Sequence, residues 1–155
     1  MKKVTFGIVL VAIMFATSCK KNNPSPNSWT FKGVNYPVVT CGVVLGVGVL
    51  EGIGNNGTVN VVFNNNPPTT PGTYTYTVAS GGISSNNNFV GITTTVGNNN
   101  TQYYSSTGRN GTNQTITLTL SSSGKYTATG SGIVLSNDSN PADSGSLSLN
   151  ITNTF

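Results

Sequence analysis

The sequence predicts an all-β fold, with two packed antiparallel sheets of about ten strands as the expected β-sandwich and a barrel as the alternative. Three observations predict it. Apolar and polar side chains alternate with a period of two through most of the chain after residue 28. Clusters of Asn, Gly, Pro and Ser interrupt these runs at the spacing typical of all-β folds. Helical periodicity is absent there, and the 19 glycines of the chain oppose helices.

The clearest strands are three alternating runs, at residues 73–78, 115–120 and 146–151. Such alternation predicts one buried face and one face in contact with water. Tyr74 and Tyr76 fall on the apolar face of their run and are expected in the core. The threonines of the first two runs fall on the other face. Ordered threonine hydroxyls of this kind suit ice binding or packing between subunits, but ordinary wet-face threonines are the expected interpretation.

Residues 43–50 differ from these runs because both faces of the segment are apolar. A strand of this kind is expected to be central or covered. Gly46 and Gly48 within it indicate a bulge or a close approach of another backbone. Turn residues then separate the predicted strands, at 55–57, 67–72, 86–88, 98–100, 110–111 and 136–144.

Charged residues are scarce, and this argues against whole classes of function. Only 6% of the residues are charged, against roughly 25% in an average soluble domain. After residue 18 there are five basic and three acidic side chains, a net charge of +2: Lys20, Lys21, Lys32, Arg109 and Lys125 against Glu51, Asp138 and Asp143. No basic patch remains, so nucleic acid is not expected as a partner. The composition also argues against a cytosolic enzyme.

The first 18 residues predict an export signal in a helical conformation. Lys2 and Lys3 form a positively charged start, residues 4–15 are apolar, and residues 16–18 are small. The apolar stretch is shorter than the roughly 20 residues that cross a bilayer. The segment is therefore expected to be removed on export.

A cysteine directly follows the small residues, and Ala16-Thr17-Ser18-Cys19 resembles the lipobox of bacterial lipoproteins. The usual lipobox has Leu where Ala16 stands. A small residue, Ser, Cys and then Lys is more similar to short lipoproteins of Bacteroidota-type bacteria. The resemblance implies that Cys19 carries a diacylglycerol, with acyl chains such as palmitate, and that the signal is cut before it. Two or more acyl chains hold a protein stably at a membrane.

The resemblance, which covers about the first 21 residues, and the strand pattern after it together predict three parts and a place in the cell. Residues 1–18 are the expected signal peptide, residues 19–28 a lipidated tether, and residues 29–155 the β-sandwich domain. The protein is expected in the cell envelope, anchored in the outer membrane through Cys19. Lys20 and Lys21 follow that cysteine, whereas acidic residues there mark export to the outer surface in related lipoproteins. The sequence therefore does not decide whether the domain lies on the surface or on the periplasmic face of the membrane.

Two segments of the domain, 71–74 and 124–128, are similar to β-sandwich domains of small lipoproteins from the same bacteria. Most such families have no assigned activity. Because the domain has few groups that could move protons or charge and no histidine, we expect a binding, adhesion or structural module with a protein or glycan partner, rather than an enzyme. Carbohydrate binding for glycan capture is the alternative function, and a hydrolase is the third.

Glu51, Asp138 and Asp143 are the acidic groups on which chemistry would depend. Two of them could form an acid/base pair for glycoside cleavage. All three lie beside turn residues, however, where carboxylates are usually solvated or cap the turn. Asp138 and Asp143 flank oxygen-bearing residues that suit calcium, although the spacing does not match a calcium loop and Pro141 interrupts it. No catalytic residue and no cofactor are therefore expected.

Cys41 allows two interpretations, a nucleophile or a small buried hydrophobe. A nucleophilic thiol needs a basic partner, and the chain has no histidine. Packing in the core is therefore the expected role.

Aromatic rings beside amide side chains are typical of sugar-binding sites, and Trp29, Tyr103 and Tyr104 are the candidate ligand-binding residues. The two tyrosines are adjacent, so in a strand their side chains point to opposite faces. One of them is expected to be exposed, near the amides of residues 98–102. The alternative role for Trp29 is a lid over the core.

Overall fold

The computed structural model describes residues 27–44, 48–78, 89–105, 114–137 and 139–153. The predicted signal helix, Cys19, most of the predicted tether and Asp138 lie outside these ranges. Within them the chain forms strands and turns without a helix, so the prediction of an all-β fold is confirmed. It follows that no helix in these ranges is long and apolar enough to cross a membrane.

Eleven strands make up the described fold, against about ten expected. They are β1 (Ser28–Phe31), β2 (Val34–Pro37), β3 (Thr40–Val44), β4 (Val49–Gly54), β5 (Gly57–Phe63), β6 (Gly72–Val78), β7 (Phe89–Val96), β8 (Thr101–Ser105), β9 (Thr115–Leu120), β10 (Tyr126–Asn137) and β11 (Ser144–Thr152). The three alternating runs lie in β6, β9 and β11, so their prediction as strands is confirmed. β-Branched and aromatic side chains fill these strands, as a pleated surface favours.

The strands belong to one mixed sheet in the order β2-β1-β11-β10-β9-β6-β7-β5-β4-β3. β8 lies off this path and pairs with both β7 and β10. Among the described pairs only β6 and β7 run parallel, over two residue pairs. Turns at residues 55–56 and 97–100 join β4 to β5 and β7 to β8. These turns lie where the sequence predicted them.

The prediction of one central strand over residues 43–50 is wrong. The segment belongs to a hairpin, in which Val43 on β3 pairs with Leu50 on β4. Gly48 has a φ of +61°, a conformation that ends an extended strand, and a Cβ there would lie 2.6 Å from the carbonyl oxygen of Asn65. The expected close approach at a glycine is thus present, but β3 stands at one end of the sheet order instead of at its centre.

β10 pairs with different strands along its length. Its first half pairs with β9 as far as Gly130, and its last three residues pair with β8. The register against β11 shifts between Gly130 and Ile133, and Gly132 within this bulge has a φ of +71°. Because a bulge bends its strand, β10 can turn from β9 toward β8.

One hydrophobic cluster covers the inner face of the sheet. Its largest fully buried side chains are Trp29, Phe31, Leu50, Val59, Ile92, Ile116, Leu118, Ile133, Leu135, Leu147, Leu149 and Ile151. Ile151 on β11 comes within 3.5 Å of the Cβ position at Gly52 on β4, and Trp29 comes within 3.0 Å of that at Gly54. β1 and β11 therefore pack over β4, although five strands separate β11 from β4 in the sheet order.

Threonines form rows across the outer face of β6, β9, β10 and β11. One row is Thr73, Thr119, Thr127 and Thr152, and the next is Thr75, Thr117, Thr129 and Asn150. Neighbouring hydroxyls of the first row lie 3.4 Å apart between β6 and β9, and 2.9 Å apart between β10 and β11. The expectation of wet-face threonines on antiparallel strands is therefore confirmed.

The two ends of β11 have different neighbours. At its last residue, the Thr152 N–H donates a hydrogen bond of 3.1 Å to Asn27 Oδ1, where the described chain begins. At its first residue, Ser144 pairs with Ser136 beside the 139–143 loop. Eight residue steps separate these ends, about 26 Å of strand. The 139–143 loop therefore lies at the end of β11 away from Asn27.

Candidate functional site

The three aromatic residues predicted to bind a ligand have different environments. Trp29 is fully buried and stacks on Tyr36, with ring centroids 5.2 Å apart. Tyr103 is 6% exposed, whereas Tyr104 is 38% exposed on the opposite face of β8. The expectation that one of the two adjacent tyrosines is exposed is confirmed. Of the three rings, Tyr104 has the face that is open to a ligand.

Tyr103 belongs to a cluster with Lys32 and Asp143, which we call the Lys32 cluster. Lys32 Nζ forms an ion pair with Asp143 Oδ1 and donates a hydrogen bond of 3.0 Å to Tyr103 Oη. Tyr103 Oη in turn donates a 2.8 Å hydrogen bond to Asp143 Oδ2. The ammonium also lies 4.3 Å from the centre of the Tyr103 ring. The cluster thereby ties the β1–β2 turn, β8 and the 139–143 loop together.

The hydrogen bonds of the cluster shift the pKa values of its charged groups. Those from Lys32 and then from Tyr103 lower the pKa of Asp143 below its usual value. Burial acts to lower the pKa of Lys32, but hydrogen bonds with Asp143 and Tyr103 outweigh it and raise that pKa. Both shifts favour the charged forms, so the ion pair persists across the neutral pH range.

We expect the Lys32 cluster to stabilise the fold at neutral pH and to lose this effect in acid. Because the folded-state pKa of Asp143 is lowered, its contribution is complete above the ordinary value of 3.8 and disappears as the pH falls through the lowered pKa. Asp143→Asn should therefore unfold at a lower urea concentration than the wild type near pH 7. Near pH 2 the two midpoints should approach each other.

Tyr103→Phe is the matched control, because it keeps the ring and removes one hydrogen-bond donor to Asp143. Its midpoint at neutral pH should lie between those of the wild type and Asp143→Asn. Equal midpoints for the wild type and Asp143→Asn at neutral pH would contradict a stabilising cluster.

The 139–143 loop is held by an asparagine and by the cluster. Asn137 Oδ1 accepts hydrogen bonds from the backbone N–H groups of Ser139, at 2.9 Å, and Asn140, at 3.3 Å. These bonds form an Asx-type turn within residues 136–144, where the sequence predicted a turn. Both carboxylate oxygens of Asp143 are occupied by Lys32 and Tyr103, so a calcium ion there would have to displace a lysine. In the described ranges no group of three or more His, Cys, Asp or Glu side chains could hold a metal.

A cleft of about 380 Å³ opens between β8 and this loop, and we call it the amide cleft. It is lined by Asn100, Thr101, Gln102, Tyr104, Asn137 and Ser139. The sequence predicted the exposed tyrosine and the amides before it. It did not indicate Asn137 and Ser139, because β10 reaches β8 through the fold and not through nearby sequence.

The structure does not bring Glu51 to Asp143. Glu51 lies on β4, opposite Gly42 and Asn60. Asp143 follows β10 and is engaged in the Lys32 cluster. An acid/base pair for glycoside cleavage needs carboxyl groups about 5–9.5 Å apart and facing one cleft. The described residues offer no such arrangement of these two side chains.

Cys41 is fully buried on β3, as expected for a packing residue. Burial, and to a smaller extent the negative charge of Glu51, raises the pKa of the Cys41 thiol to about 11. The thiol is therefore protonated at neutral pH and suits packing rather than nucleophilic attack.

Comparison of the chain with protein-family models, with curated proteins and with solved structures found no match.

Proposed function

We propose that this protein is a lipid-anchored binding and adhesion module of the bacterial cell envelope, acting outside the cytoplasm and without catalysis. The anchor in this proposal is an acylated Cys19 in the outer membrane, on its surface or its periplasmic side. The observation that carries the proposal is the position of the 139–143 loop, at the end of β11 away from Asn27. A chain tethered through residues before Asn27 would point this polar loop away from the membrane.

The outer faces of the sheet support adhesion or assembly. The threonine rows present hydroxyl groups and one amide without any charged side chain. At an end of the sheet order, Val39, Val44 and Ile53 are 63%, 44% and 40% exposed, next to or within β3 and β4. An apolar sheet edge of this kind favours contact with another chain.

The proposal includes a two-layered packing of the domain as a β-sandwich. Its support is the contact of Trp29 and Ile151 with the glycines of β4, across the hydrophobic core. In a sandwich two sheet faces pack about 10 Å apart with side chains interdigitating between them. The buried inner face and the polar outer face of the described strands fit that arrangement.

Carbohydrate binding is the second candidate function. It is favoured by the amide cleft, where the exposed ring of Tyr104 lies beside Gln102 and Asn100. A ring face and adjacent amides match the apolar face and the hydroxyl edge of a sugar.

The membrane anchor is tested by Cys19→Ala. We expect the variant to move from the membrane fraction to the soluble fraction of lysed cells, because no other acylation site is proposed. The measurement is the distribution of the protein between the two fractions after sedimentation, detected with antibody. Cys41→Ala is the matched control and should remain with the membranes.

An unchanged distribution of Cys19→Ala would show that acylation of this cysteine does not hold the protein at the membrane. Release of both cysteine variants would indicate a general effect of misfolding instead, and would equally count against the anchor.

A further inference from the structure

We infer that the amide cleft is a binding site for neutral saccharides, with the Tyr104 ring as the stacking surface and Gln102 and Asn100 as hydrogen-bonding groups. The inference rests on the proposed binding function and gives it a site and a ligand class. No metal ion takes part in it.

The short side chains beside Tyr104 leave its ring partly exposed to solvent. Thr93 on β7 and Ser136 on β10 are its cross-strand partners, and both have short side chains. Ser136 is only 8% exposed, whereas Tyr104 is 38% exposed. An aromatic face has a negative potential that attracts the weakly positive C–H groups of a sugar ring. A half-exposed ring between short polar side chains is therefore suited to stacking.

The amide of Gln102, next to the ring, is oriented by a hydrogen bond within the protein. The Tyr104 hydroxyl donates to Gln102 Oε1. Since the oxygen of this amide is engaged, its NH₂ group is left to donate to a ligand. Asn100 lies in the β7–β8 turn with a φ of +50°, which asparagine tolerates better than most residues. The cleft thus places one oriented donor group and one further amide beside the ring.

The described residues that line the cleft offer no charge to a ligand. All six of them have uncharged side chains. Lys32 and Asp143, which contact the neighbouring Tyr103, neutralise each other and have this tyrosine as a shared hydrogen-bond partner. An anionic or cationic ligand would lose its hydration without gaining a partner charge from these residues. The hydroxyl groups of a neutral sugar also lose water, but hydrogen bonds with the amides replace it.

The size of the cleft also fits a small ligand, since about 380 Å³ lies at the lower end of the range for ligand pockets. A second cleft, of about 470 Å³, lies among Thr115, Thr117 and Thr129 on the threonine face. It is larger, but none of the described residues that line it is aromatic. The combination of a ring and an oriented amide distinguishes the amide cleft from it.

The test is an array of immobilised neutral and anionic oligosaccharides, probed with the purified protein in mild detergent. We expect retention by neutral glycans, and equal retention with calcium or with chelator. Titration of the best neutral glycan should show at least a tenfold weaker affinity for Tyr104→Ala, a loss of about 1.4 kcal/mol. Tyr104→Phe, which keeps the ring, should bind within about threefold of the wild type.

Gln102→Ala should also weaken binding, and Asn150→Ala on the threonine face is its matched control, with no expected change. Thermal unfolding of each variant checks that the fold is intact. Retention by no neutral glycan, equal affinity of Tyr104→Ala and wild type, or loss of binding in chelator would each overturn the assignment. The membrane anchor is tested separately, by the distribution of Cys19→Ala between the membrane and soluble fractions. A failure of the saccharide site would therefore not affect the result for the anchor.

Discussion

Trp29→Ala is expected to lower the free energy of unfolding by about 3–5 kcal/mol, the range for removing a fully buried tryptophan. The side chain is 0% exposed, stacks on Tyr36 and reaches the Cβ position at Gly54. Its loss would therefore leave a cavity between β1 and β4 that the surrounding strands cannot close. Urea denaturation followed by circular dichroism measures the change, since this is the only tryptophan of the chain and its fluorescence is lost with it.

Two variants serve as controls for this prediction. Trp29→Phe keeps a ring stacked on Tyr36 and removes Nε1, a buried nitrogen without a hydrogen-bond partner in the described part of the chain. Trp29→Phe should lower the free energy of unfolding by less than Trp29→Ala does. Tyr104→Ala removes a partly exposed ring and should cost about 1 kcal/mol or less. Similar losses for Trp29→Ala and Tyr104→Ala would mean that Trp29 is not the core residue described above.

Cys41 is expected to react at least about 100-fold more slowly with a maleimide than an unfolded cysteine does at neutral pH. A thiol pKa of about 11, against an ordinary value of 9.0, leaves about 100-fold less of the reactive thiolate. Burial slows the labelling reaction further, because the maleimide reaches the thiol only when β3 opens locally. The measurement is the labelling rate of Cys19→Ala, in which Cys41 is the only thiol.

The same variant unfolded in urea is the control, and its thiol should react at the ordinary rate. Labelling of the folded protein as fast as the unfolded one would show that the thiol is accessible and ionised. That outcome would restore the interpretation of Cys41 as a nucleophile.

Local sequence was sufficient to predict the strands whose two faces differ. The alternation in β6, β9 and β11 assigns each side chain to a face, because a strand has a period of two. The same rule failed for residues 43–50, where both faces are apolar and the alternation carries no information. Gly48 was interpreted there as a bulge or a close approach within one strand. The close approach is present, but the positive φ of Gly48 belongs to the hairpin between β3 and β4.

Local sequence patterns did not predict the order of the strands in the sheet. β8 pairs with both β7 and β10, and β6 runs parallel to β7. Such pairings depend on which strands can share the core, and that is decided by contacts between distant parts of the chain. The bulge in β10 between Gly130 and Ile133 adds a bend that alternation does not reveal.

The candidate site was only partly predictable, because contacts between distant parts of the chain bring some of its residues together. Adjacency in a strand was enough to predict that one of Tyr103 and Tyr104 is exposed, and the amides before them were evident in the sequence. The Lys32 cluster was not predicted, because Lys32 lies 71 residues from Tyr103 and 111 residues from Asp143. Only the pairing of β1 with β11, and of β8 with β10, brings these side chains together.

The most direct test of the lipid-anchored module is the mass of the N-terminal peptide of the protein extracted from membranes. We expect a chain that begins at Cys19 and carries a diacylglycerol on its sulfur. A chain that still contains residues 1–18, or one whose Cys19 is an unmodified thiol, would contradict it.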